Sequence, residues 1–276
     1  MLELTDIAKP FLRWAGGKTW LLKHLNELLP SNGFNNYHEP FLGGASIFLA
    51  LNPQFSYLSD LNEDLIDTYE TLRDHPKEII SGLSEHVNEE NYYYNLRESP
   101  LTDPIERAAK FIYLNQTSFN GIYRVNLNGK YNVPYGHRTK NFLEPEKLIT
   151  VSKRLQTVEF QKGDFSIVLE NVQENDLVFF DPPYTVSHNN NGFIKYNHKL
   201  FSLDDQIRLS GVIDEIKNRG AYYILTNAAH DRIKEIFGKG RDTLLTKSRA
   251  SLIGGALAQR GATEEYIFTN TIQNTL

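Results

Sequence analysis

Short apolar runs alternate with helical patterns along most of the chain, and this alternation predicts a parallel sheet flanked by helices. The run at 177–180, Leu-Val-Phe-Phe, is apolar throughout, as expected for a strand that is buried on both faces. The other predicted strands are Tyr37–Glu39, Ser56–Ser59, Val158–Phe160, Tyr222–Leu225, Thr243–Thr246 and Tyr266–Phe268. The predicted helices among them are Trp20–Leu29, a helix ending near Leu51, Leu203–Lys217 and Asp231–Phe237. The pattern therefore predicts an α/β fold.

This alternation lapses between residues 69 and 147. Helical patterns such as Pro76–His86 and Pro104–Leu114 dominate there, and a hairpin pattern follows them. We therefore predict two domains: residues 1–68 together with 148–276 form the sheet domain, and residues 69–147 form a mainly helical insertion that carries the hairpin.

An Asp-Pro-Pro-Tyr segment at residues 181–184 ends the apolar central strand. Proline has no N–H to donate to a neighbouring strand, so the strand is expected to stop at Asp181. In open α/β sheets, ligands bind at this carboxyl end. The Asp181 carboxylate and the Pro182 carbonyl could accept both hydrogens of an exocyclic amine, while Tyr184 stacks on the planar base that carries it. The alternative is an ordinary turn, capped by the aspartate.

Glycines near the start of the chain provide a second candidate site. Gly16-Gly17-Lys18 resembles part of a phosphate-binding loop, but that motif requires glycine where Leu12 stands and a strand directly before it. We interpret these glycines as allowing close approach of the backbone to a ligand. Trp14 would then form a flat wall, and Lys18 would meet a carboxylate.

Gly43-Gly44 follows the first predicted strand, and Asp60 ends the second. A glycine turn followed by an acidic residue at the tip of the second strand is typical of nucleotide-binding βαβ units, in which the acid holds the ribose hydroxyls. An adenosine-containing cofactor would fit this pattern without phosphates. The alternative role for Asp60 is the N-cap of the next helix. Similarly, Asp164-Phe165 could lie beside an adenine or form a capped turn.

Asn128-Gly129 lies between short alternating runs, which favours a β-hairpin. From residue 116 to 141 the charged residues are all basic, and aromatic residues are interleaved with them. Such cations can contact phosphates, and an arginine such as Arg124 can read guanine in the major groove. An exposed Phe119 could fill the space that an extruded base leaves. The alternative is a solvated hairpin whose aromatic residues face the core.

Composition excludes several other chemistries. The 276 residues include no cysteine, which excludes disulfides, thiolate metal sites and covalent cytosine methylation. The eight histidines form no ligand pair, so we expect no metal. The net charge of −5 argues against a generally basic surface but allows a local one. The absence of a long apolar run or a signal peptide predicts a cytoplasmic protein without membrane contact, and we expect a monomer.

Two further segments are predicted to lie on the surface. Residues 185–199 are polar and lack a periodic pattern, so we interpret them as a lid over the site. Residues 247–264 include Arg249, Arg260 and Gly254-Gly255, and we expect a surface excursion there.

Taken together and in order, these motifs resemble those of the Dam-type, or D12 class, DNA adenine-N6 methyltransferases. The motifs that carry the resemblance are Trp14-Ala15-Gly16-Gly17-Lys18, Glu39-Pro40-Phe41, Asp60, Asn120-Gly121 through Arg124, Asn132-Val133-Pro134 and the Asp-Pro-Pro-Tyr segment. The resemblance covers nearly the whole chain. It implies a Rossmann-like class I methyltransferase sheet, mostly parallel with one antiparallel strand, and an inserted target-recognition domain. It also implies a bacterial or phage-encoded enzyme.

The resemblance implies S-adenosyl-L-methionine as the cofactor and S-adenosyl-L-homocysteine as the product. The residues expected to line the cofactor pocket are Trp14, Lys18, Glu39, Phe41, Gly43, Asp60, Asp164, Phe165 and Asp181. Among the catalytic residues, Asp181 and Pro182 would hold the target amine, and Tyr184 would stack on a flipped adenine.

The implied substrate is double-stranded DNA, methylated at GATC. By resemblance, Phe119 intercalates and Arg124 reads guanine, and the remaining residues expected at the DNA surface are Asn120, Ile122, Lys130, Pro134 and Arg138. The chain departs from some members of the class at Gln116-Thr117-Ser118, which is not a basic and aromatic run. It also departs at Leu252–Ala258, which is more apolar than a phosphate-contacting loop.

Two other functions are compatible with parts of the sequence. Related Asn-Pro-Pro-Tyr enzymes methylate glutamine or RNA bases, but a glutamine-modifying enzyme would not need the hairpin at 119–134. A DNA-binding protein that has lost catalysis is the other alternative, and the intact Asp60 and Asp181 argue against it.

Overall fold

The computed structural model describes residues 8–126, 129–185, 201–240, 242–250 and 262–272. Within these ranges the strands are β1 (Tyr37–Glu39), β2 (Ser56–Asp60), β3 (Val158–Lys162), β4 (Leu177–Phe180), β5 (Tyr222–Ala228), β6 (Thr243–Ala250) and β7 (Ala262–Thr269). They form a sheet in the order β3-β2-β1-β4-β5-β7-β6.

The sheet is mostly parallel. Strand β4 pairs in parallel with both β1 and β5, whereas β7 runs antiparallel to β5 and β6. This confirms the predicted Rossmann-like sheet with one antiparallel strand. The strand order reverses between β1 and β4, because the chain passes from β1 out to β3 before it returns to β4. In sheets of this kind, ligands bind outside the carboxyl ends of the strands at such a reversal.

The α-helices in the described ranges are α1 (Leu25–Leu28), α2 (Ser46–Leu51), α3 (Glu63–Asp74), α4 (Pro76–Ser84), α5 (Glu90–Glu98), α6 (Pro104–Thr117), α7 (Pro145–Arg154), α8 (Leu203–Asn218) and α9 (Asp231–Phe237). Within the described chain, none of the helices combines the length and the apolar character needed to span a membrane.

Contacts divide the chain into two compact units. The first unit comprises Met1–Thr19, Leu42–Gln54 and Leu58–Gly163, and the second comprises Trp20–Phe41, Phe55–Tyr57 and Asp164–Leu276. In the first unit, α6 packs against α3 and α4, and α3 also packs against α7. The predicted recognition domain, 69–147, lies within this unit, and its boundaries stay a prediction.

A hydrophobic core cluster of the second unit lies on one face of the sheet. Val178 and Phe180 of β4 and Leu225 of β5 pack there with buried residues of α8 and α9. Because side chains alternate along a strand, Thr226 points to the opposite face. A capping box of Ser202 and Asp205 begins α8, so the first N–H groups of this core helix are satisfied.

The predicted helix Trp20–Leu29 is wrong in detail. A 3₁₀ helix covers Thr19–His24, and only Leu25–Leu28 is α-helical. Leu29 is extended, with ψ at 148°, because it precedes Pro30 and that proline excludes the helical conformation.

The strands near the carboxyl end are longer than predicted. Strand β6 continues to Ala250 and β7 begins at Ala262, so the predicted surface excursion at 247–264 is wrong at both of its ends. Its middle lies outside the described residues, together with Leu252–Ala258 and 186–199 of the predicted lid.

Two isoleucines of α8 offer a matched test of this core. Ile213 is 4% exposed and Ile207 is 51% exposed. We expect Ile213→Ala to lower the free energy of unfolding by about 2–5 kcal/mol, since it leaves a cavity. The same change at Ile207 should stay within about 0.5 kcal/mol. Urea denaturation of both variants measures the difference, and equal losses would contradict the described core.

Candidate active site

Asp181 lies at the carboxyl end of β4, beside β5. Phe180 pairs with Leu225 in the parallel register, so Asp181 and Thr226 directly follow the last pair. The Thr226 hydroxyl donates to Asp181 Oδ1 at 2.9 Å. The aspartate is partly exposed, whereas Thr226 is fully buried. A carboxylate is thus presented at the strand end, as the sequence predicted.

Tyr184 is held by a residue of β7. Its hydroxyl donates to Glu265 Oε2 at 2.5 Å, and Glu265 is fully buried. Glu265 pairs with Ala228 across the antiparallel β5–β7 register. The tyrosine itself is partly exposed, so its ring can still meet a ligand.

A buried chain of polar side chains anchors the residue after Tyr184. The Thr185 hydroxyl donates to the Phe201 carbonyl at 3.1 Å and accepts from Gln206 Nε2 at 2.9 Å. Gln206 Oε1 in turn accepts from Asn227 Nδ2 at 3.0 Å. All three side chains are fully buried. Leaving any of these buried groups without a partner would cost free energy. The hydrogen-bonded network therefore holds Thr185, the residue that follows the Asp-Pro-Pro-Tyr segment, in place.

Aromatic rings gather near the carboxyl ends of β1 and β4. Phe41 stacks on Phe165 with ring centroids 5.6 Å apart. Phe201 packs edge-on against both rings, at 5.6 Å from each, and Phe180 packs edge-on against Phe41. The structure therefore brings together two of the rings that were predicted to bind the cofactor, and adds a third that the sequence did not indicate.

Asp164 is both a turn cap and an ion-pair partner. Its carboxylate accepts from Ser166 N at 3.1 Å and from both terminal nitrogens of Arg208, at 2.9 and 2.8 Å. The Arg208 guanidinium also lies 4.5 Å from the centroid of the Phe165 ring. Burial acts to raise the pKa of Asp164, but the bonds from Arg208 and Ser166 outweigh it and lower that pKa. Asp164 therefore caps this turn, and its place beside an adenine stays a prediction.

Glu39 ends β1 and is buried. Tyr37 donates its hydroxyl to Glu39 Oε2 at 2.8 Å, and both side chains are almost completely inaccessible. Burial, together with the adjacent Glu39 carboxylate, raises the pKa of Tyr37 well above its ordinary value. The phenol therefore remains a hydrogen-bond donor that fixes the carboxylate.

Asp60 lies against the glycine turn in the first unit. Its Oδ2 accepts from Gly43 N at 3.1 Å and its Oδ1 accepts from Asn62 N at 3.0 Å. Burial raises the pKa of Asp60, although these backbone N–H groups act in the opposite direction. The N-cap of α3 is Asn62, which accepts from Leu65 N at 3.2 Å, so the alternative role for Asp60 as that cap is wrong.

Trp14 lies directly over the same turn. Gly43 has a φ of 46°, and a Cβ added there would lie 2.8 Å from Trp14 Cδ1. The indole also stacks on Tyr123, with centroids 5.6 Å apart, and on Phe111. Gly43 is therefore needed both for its backbone conformation and for the close approach of Trp14.

Lys18 is almost fully buried near this turn. Its backbone N–H donates to Ser46 Oγ at 3.1 Å, and its Nζ donates to the Gly16 carbonyl at 2.8 Å. The ammonium thus closes the glycine loop on itself, which is a contact that the sequence did not predict.

The segment predicted as a hairpin does reverse direction. Val125 bridges Tyr131 and Ser118 bridges Tyr135, both antiparallel, but these are isolated bridges and not a continuous ladder. Gly129 takes a φ of 73° at the turn, as the hairpin prediction requires. Asn128 lies outside the described residues.

Arg124 and Lys130 are exposed on this hairpin. Arg124 Nε donates to Asn132 Oδ1 at 2.8 Å and Nη2 donates to the Asn132 carbonyl at 3.1 Å. The guanidinium is therefore held in one orientation by the opposite arm. Arg138 differs, because it is partly buried and its Nη1 donates to the Gln116 carbonyl at 3.2 Å.

Phe119 is 52% exposed at the start of a short 3₁₀ helix, and Asn120 beside it is also exposed, with a φ of 56°. The Phe119 backbone N–H donates to the Pro134 carbonyl at 2.9 Å, while the ring of Pro134 is exposed and Ile122 is partly exposed. Backbone bonds thus anchor this tip while its side chains remain available.

A sequence model of D12 class N6 adenine-specific DNA methyltransferases matches residues 14–250. The chain belongs to this family. It is 34% identical to the Type II methyltransferase M1.LlaDCHI of Lactococcus lactis subsp. cremoris, over 95% of both chains. It is 36% identical to the Type II methyltransferase M.MjaIII of Methanocaldococcus jannaschii, over 84% of this chain and 87% of that one. The DNA adenine methylase of Escherichia coli K12 is 31% identical over 81% of each chain.

Membership confirms an adenine-specific DNA methyltransferase, an enzyme that acts on DNA with a methyl donor. It decides against the glutamine, RNA and non-catalytic alternatives. In this D12 methyltransferase, sequence reasoning missed Thr226 and Glu265. The prediction ended β5 at Leu225 and began β7 at Tyr266, because polar residues were interpreted as strand ends. Both strands extend past these points, and the polar residues lie on them.

Replacement of Gly43 tests the close packing of the glycine turn. Gly43→Ala should lower the free energy of unfolding by about 1–3 kcal/mol more than Gly16→Ala does. Both glycines have positive φ, but around Gly16 no described heavy atom lies within 4 Å of an added Cβ. Urea denaturation of both variants measures this difference. Equal losses would show that Trp14 does not constrain the turn.

Proposed function

We propose that this enzyme transfers a methyl group from S-adenosyl-L-methionine to the N6 atom of an adenine that has been rotated out of duplex DNA, within GATC. The supporting observation is the placement of Asp181 and Tyr184 directly after β4, one of the two strands between which the strand order reverses. Asp181 accepts a hydrogen bond from Thr226 of β5, Tyr184 donates one to Glu265 of β7, and both side chains are still partly exposed.

The residues proposed for the cofactor suit its chemistry. S-adenosyl-L-methionine carries a ribose diol, a flat adenine and a cationic sulfonium, and has no phosphates. We assign the ribose hydroxyls to Asp60 and the adenine to Phe41, Phe165 and Asp164. The other proposed contacts are Trp14, Lys18, Glu39, Gly43 and Asp181. Four of these nine residues carry carboxylates and one carries a cation, a balance that suits hydroxyl groups and a sulfonium better than phosphates.

For the reaction, the proposed roles of the protein groups are alignment and hydrogen bonding. When bound, the cofactor supplies an electrophilic methyl group on sulfur and leaves as S-adenosyl-L-homocysteine. Asp181 and the Pro182 carbonyl accept the two N6 hydrogens, which directs the nitrogen lone pair away from the ring. Tyr184 stacks on the base. No general base is needed before attack, because the N6 proton becomes acidic only after transfer, when it can leave to solvent or to Asp181.

DNA recognition is assigned to the exposed end of the hairpin. Arg124 reads guanine, because Asn132 already holds its guanidinium in a fixed plane. Phe119 fills the gap left by the rotated base, with Asn120, Ile122 and Pro134 around it. Lys130 contacts phosphate, and Arg138 supports the loop through the Gln116 carbonyl while its remaining donors face phosphate.

Replacement of the carboxylate tests the proposed chemistry. Asp181→Ala should reduce transfer of labelled methyl groups to DNA by at least about 1,000-fold, since it removes an acceptor of the target amine. Cofactor binding should be weaker but measurable. Asp214→Ala, an exposed aspartate of α8, provides the control and should keep normal activity. Near-normal turnover by the Asp181 variant would contradict the proposal.

Substitution of each of the two exposed hairpin cations distinguishes base reading from phosphate contact. Wild-type enzyme should methylate GATC duplexes in preference to duplexes with one altered base pair. Arg124→Ala should lose about 1–3 kcal/mol of discrimination at one base pair. Lys130→Ala should instead weaken binding uniformly and reduce its salt dependence. Methylation rates on the duplex set at several salt concentrations measure both effects. Uniform loss for the Arg124 variant would argue against base reading.

A further inference from the structure

Two side chains on neighbouring strands contact the Asp-Pro-Pro-Tyr segment from one face of the sheet. Thr226 points away from the face that carries Leu225 and the helical core. Thr226 pairs with Ile267 and Ala228 pairs with Glu265 in the antiparallel register. Directly paired residues share a face, so Glu265 lies on the same face as Thr226. This is the face where Asp181 and Tyr184 receive their contacts.

Thr226 has one hydroxyl proton and two oxygens within reach. Its Oγ1 lies 2.9 Å from Asp181 Oδ1 and 3.3 Å from the Phe180 carbonyl. The shorter contact is also the one to a charged acceptor, and charge-assisted hydrogen bonds are the stronger ones. The proton therefore goes to the carboxylate. Thr226 is fully buried, so no competing bond to bulk water loosens this contact.

Glu265 has the same relation to Tyr184. A buried carboxylate requires donors, and the Tyr184 hydroxyl supplies one at 2.5 Å. This bond fixes the far end of the phenol, and the backbone at residue 185 is fixed by the buried Thr185 contacts. With both ends held, the position of the ring is set before any base arrives. Because a phenolic O–H lies close to the plane of its ring, the bond to Glu265 also favours one tilt of that ring.

We propose that Thr226 and Glu265 are positioning residues for methyl transfer: Thr226 orients the Asp181 carboxylate, and Glu265 orients the Tyr184 ring. The proposal rests on the proposed roles of Asp181 and Tyr184. Neither positioning residue touches the base or the cofactor in this scheme. Their contribution is alignment, and small displacements from the reactive geometry are costly in rate.

The Thr226 half is tested by two substitutions at one position. Thr226→Val keeps the shape and loses the hydroxyl, whereas Thr226→Ser keeps the hydroxyl. We expect the valine variant to lower the single-turnover rate constant by about 10- to 100-fold, because it removes a hydrogen bond to a charged group. Binding of cofactor and DNA should stay within about threefold, and the serine variant should recover most of the rate.

Thr269→Val is the matched control. Thr269 is also fully buried, on β7, but its hydroxyl donates to the Tyr223 carbonyl and is not bonded to the catalytic segment. It should keep the wild-type single-turnover rate per folded molecule. If Thr226→Val keeps the wild-type rate, or if the serine variant is as slow as the valine variant, Thr226 does not position Asp181.

The Glu265 half is tested by a double-mutant cycle. Glu265→Met and Tyr184→Phe each break the same hydrogen bond, so the double variant should be no slower than the slower single variant. Glu265→Gln keeps an accepting oxygen and should be faster than the methionine variant. Additive losses would show that Glu265 does not act through the tyrosine hydroxyl.

A fluorescent base at the target position distinguishes a loss of Tyr184 orientation from a general loss of enzyme structure. In duplex DNA with 2-aminopurine at the target position, a rotated base stacked on Tyr184 is partly quenched, and both single variants should be brighter than wild type. Unchanged fluorescence in both Glu265→Met and Tyr184→Phe would overturn the proposal that Glu265 orients the Tyr184 ring. If wild-type enzyme itself gives no signal change, the proposed base rotation fails, while the single-turnover comparison at Thr226 still decides the other half.

Discussion

Two consecutive prolines end the central strand of this sheet, and the arrangement of the proposed catalytic groups follows from that termination. Because neither proline can donate to a neighbouring strand, the ladder stops at Phe180 while β5 continues to Ala228. The longer strand therefore extends alongside the first residues after the break. Thr226 lies on that extension and reaches Asp181. Because β5 extends past the end of β4, the Asp181 carboxylate at the carboxyl end of β4 receives a hydrogen bond from the neighbouring strand.

Burial makes the contacts around the Asp-Pro-Pro-Tyr segment difficult to replace. Thr185, Gln206 and Asn227 form a continuous hydrogen-bonded network without solvent exposure, and Glu265 is fully buried at the last residue pair between β5 and β7. Groups buried in this way cannot exchange a lost partner for water, so alternative positions of the segment at 181–185 are costly. The methyl transfer proposed above depends on alignment, so it would benefit from such rigidity.

The hairpin in the first unit is built differently. Its pairing consists of isolated bridges, and much of its order comes from side chains that bond to backbone, such as Arg124 to Asn132 and Tyr131 to Ile122. Aromatic rings also stabilise the hairpin, because Tyr123 packs against Trp14 and Phe111. The exposed cations Arg124 and Lys130 are thereby carried on a segment that side-chain bonds and ring contacts hold together, which suits its proposed contact with DNA.

Local sequence by itself determined the approximate positions of the strands, the starts of α4, α6, α8 and α9, and the positions of the motifs. A proline or glycine directly after an element marks where that element ends, which is why β1 and α9 were predicted to the residue. The apolar run of β4 ends at the Asp-Pro-Pro-Tyr segment in the same way. Local sequence also determined the family, through the order of its motifs. Only the tertiary structure decided which groups meet: Arg208 with Asp164, Glu265 with Tyr184 and Thr226 with Asp181 are separated by 44, 81 and 45 residues. No local pattern encodes such pairs, because they depend on strand order and register, which arise only when the whole sheet assembles.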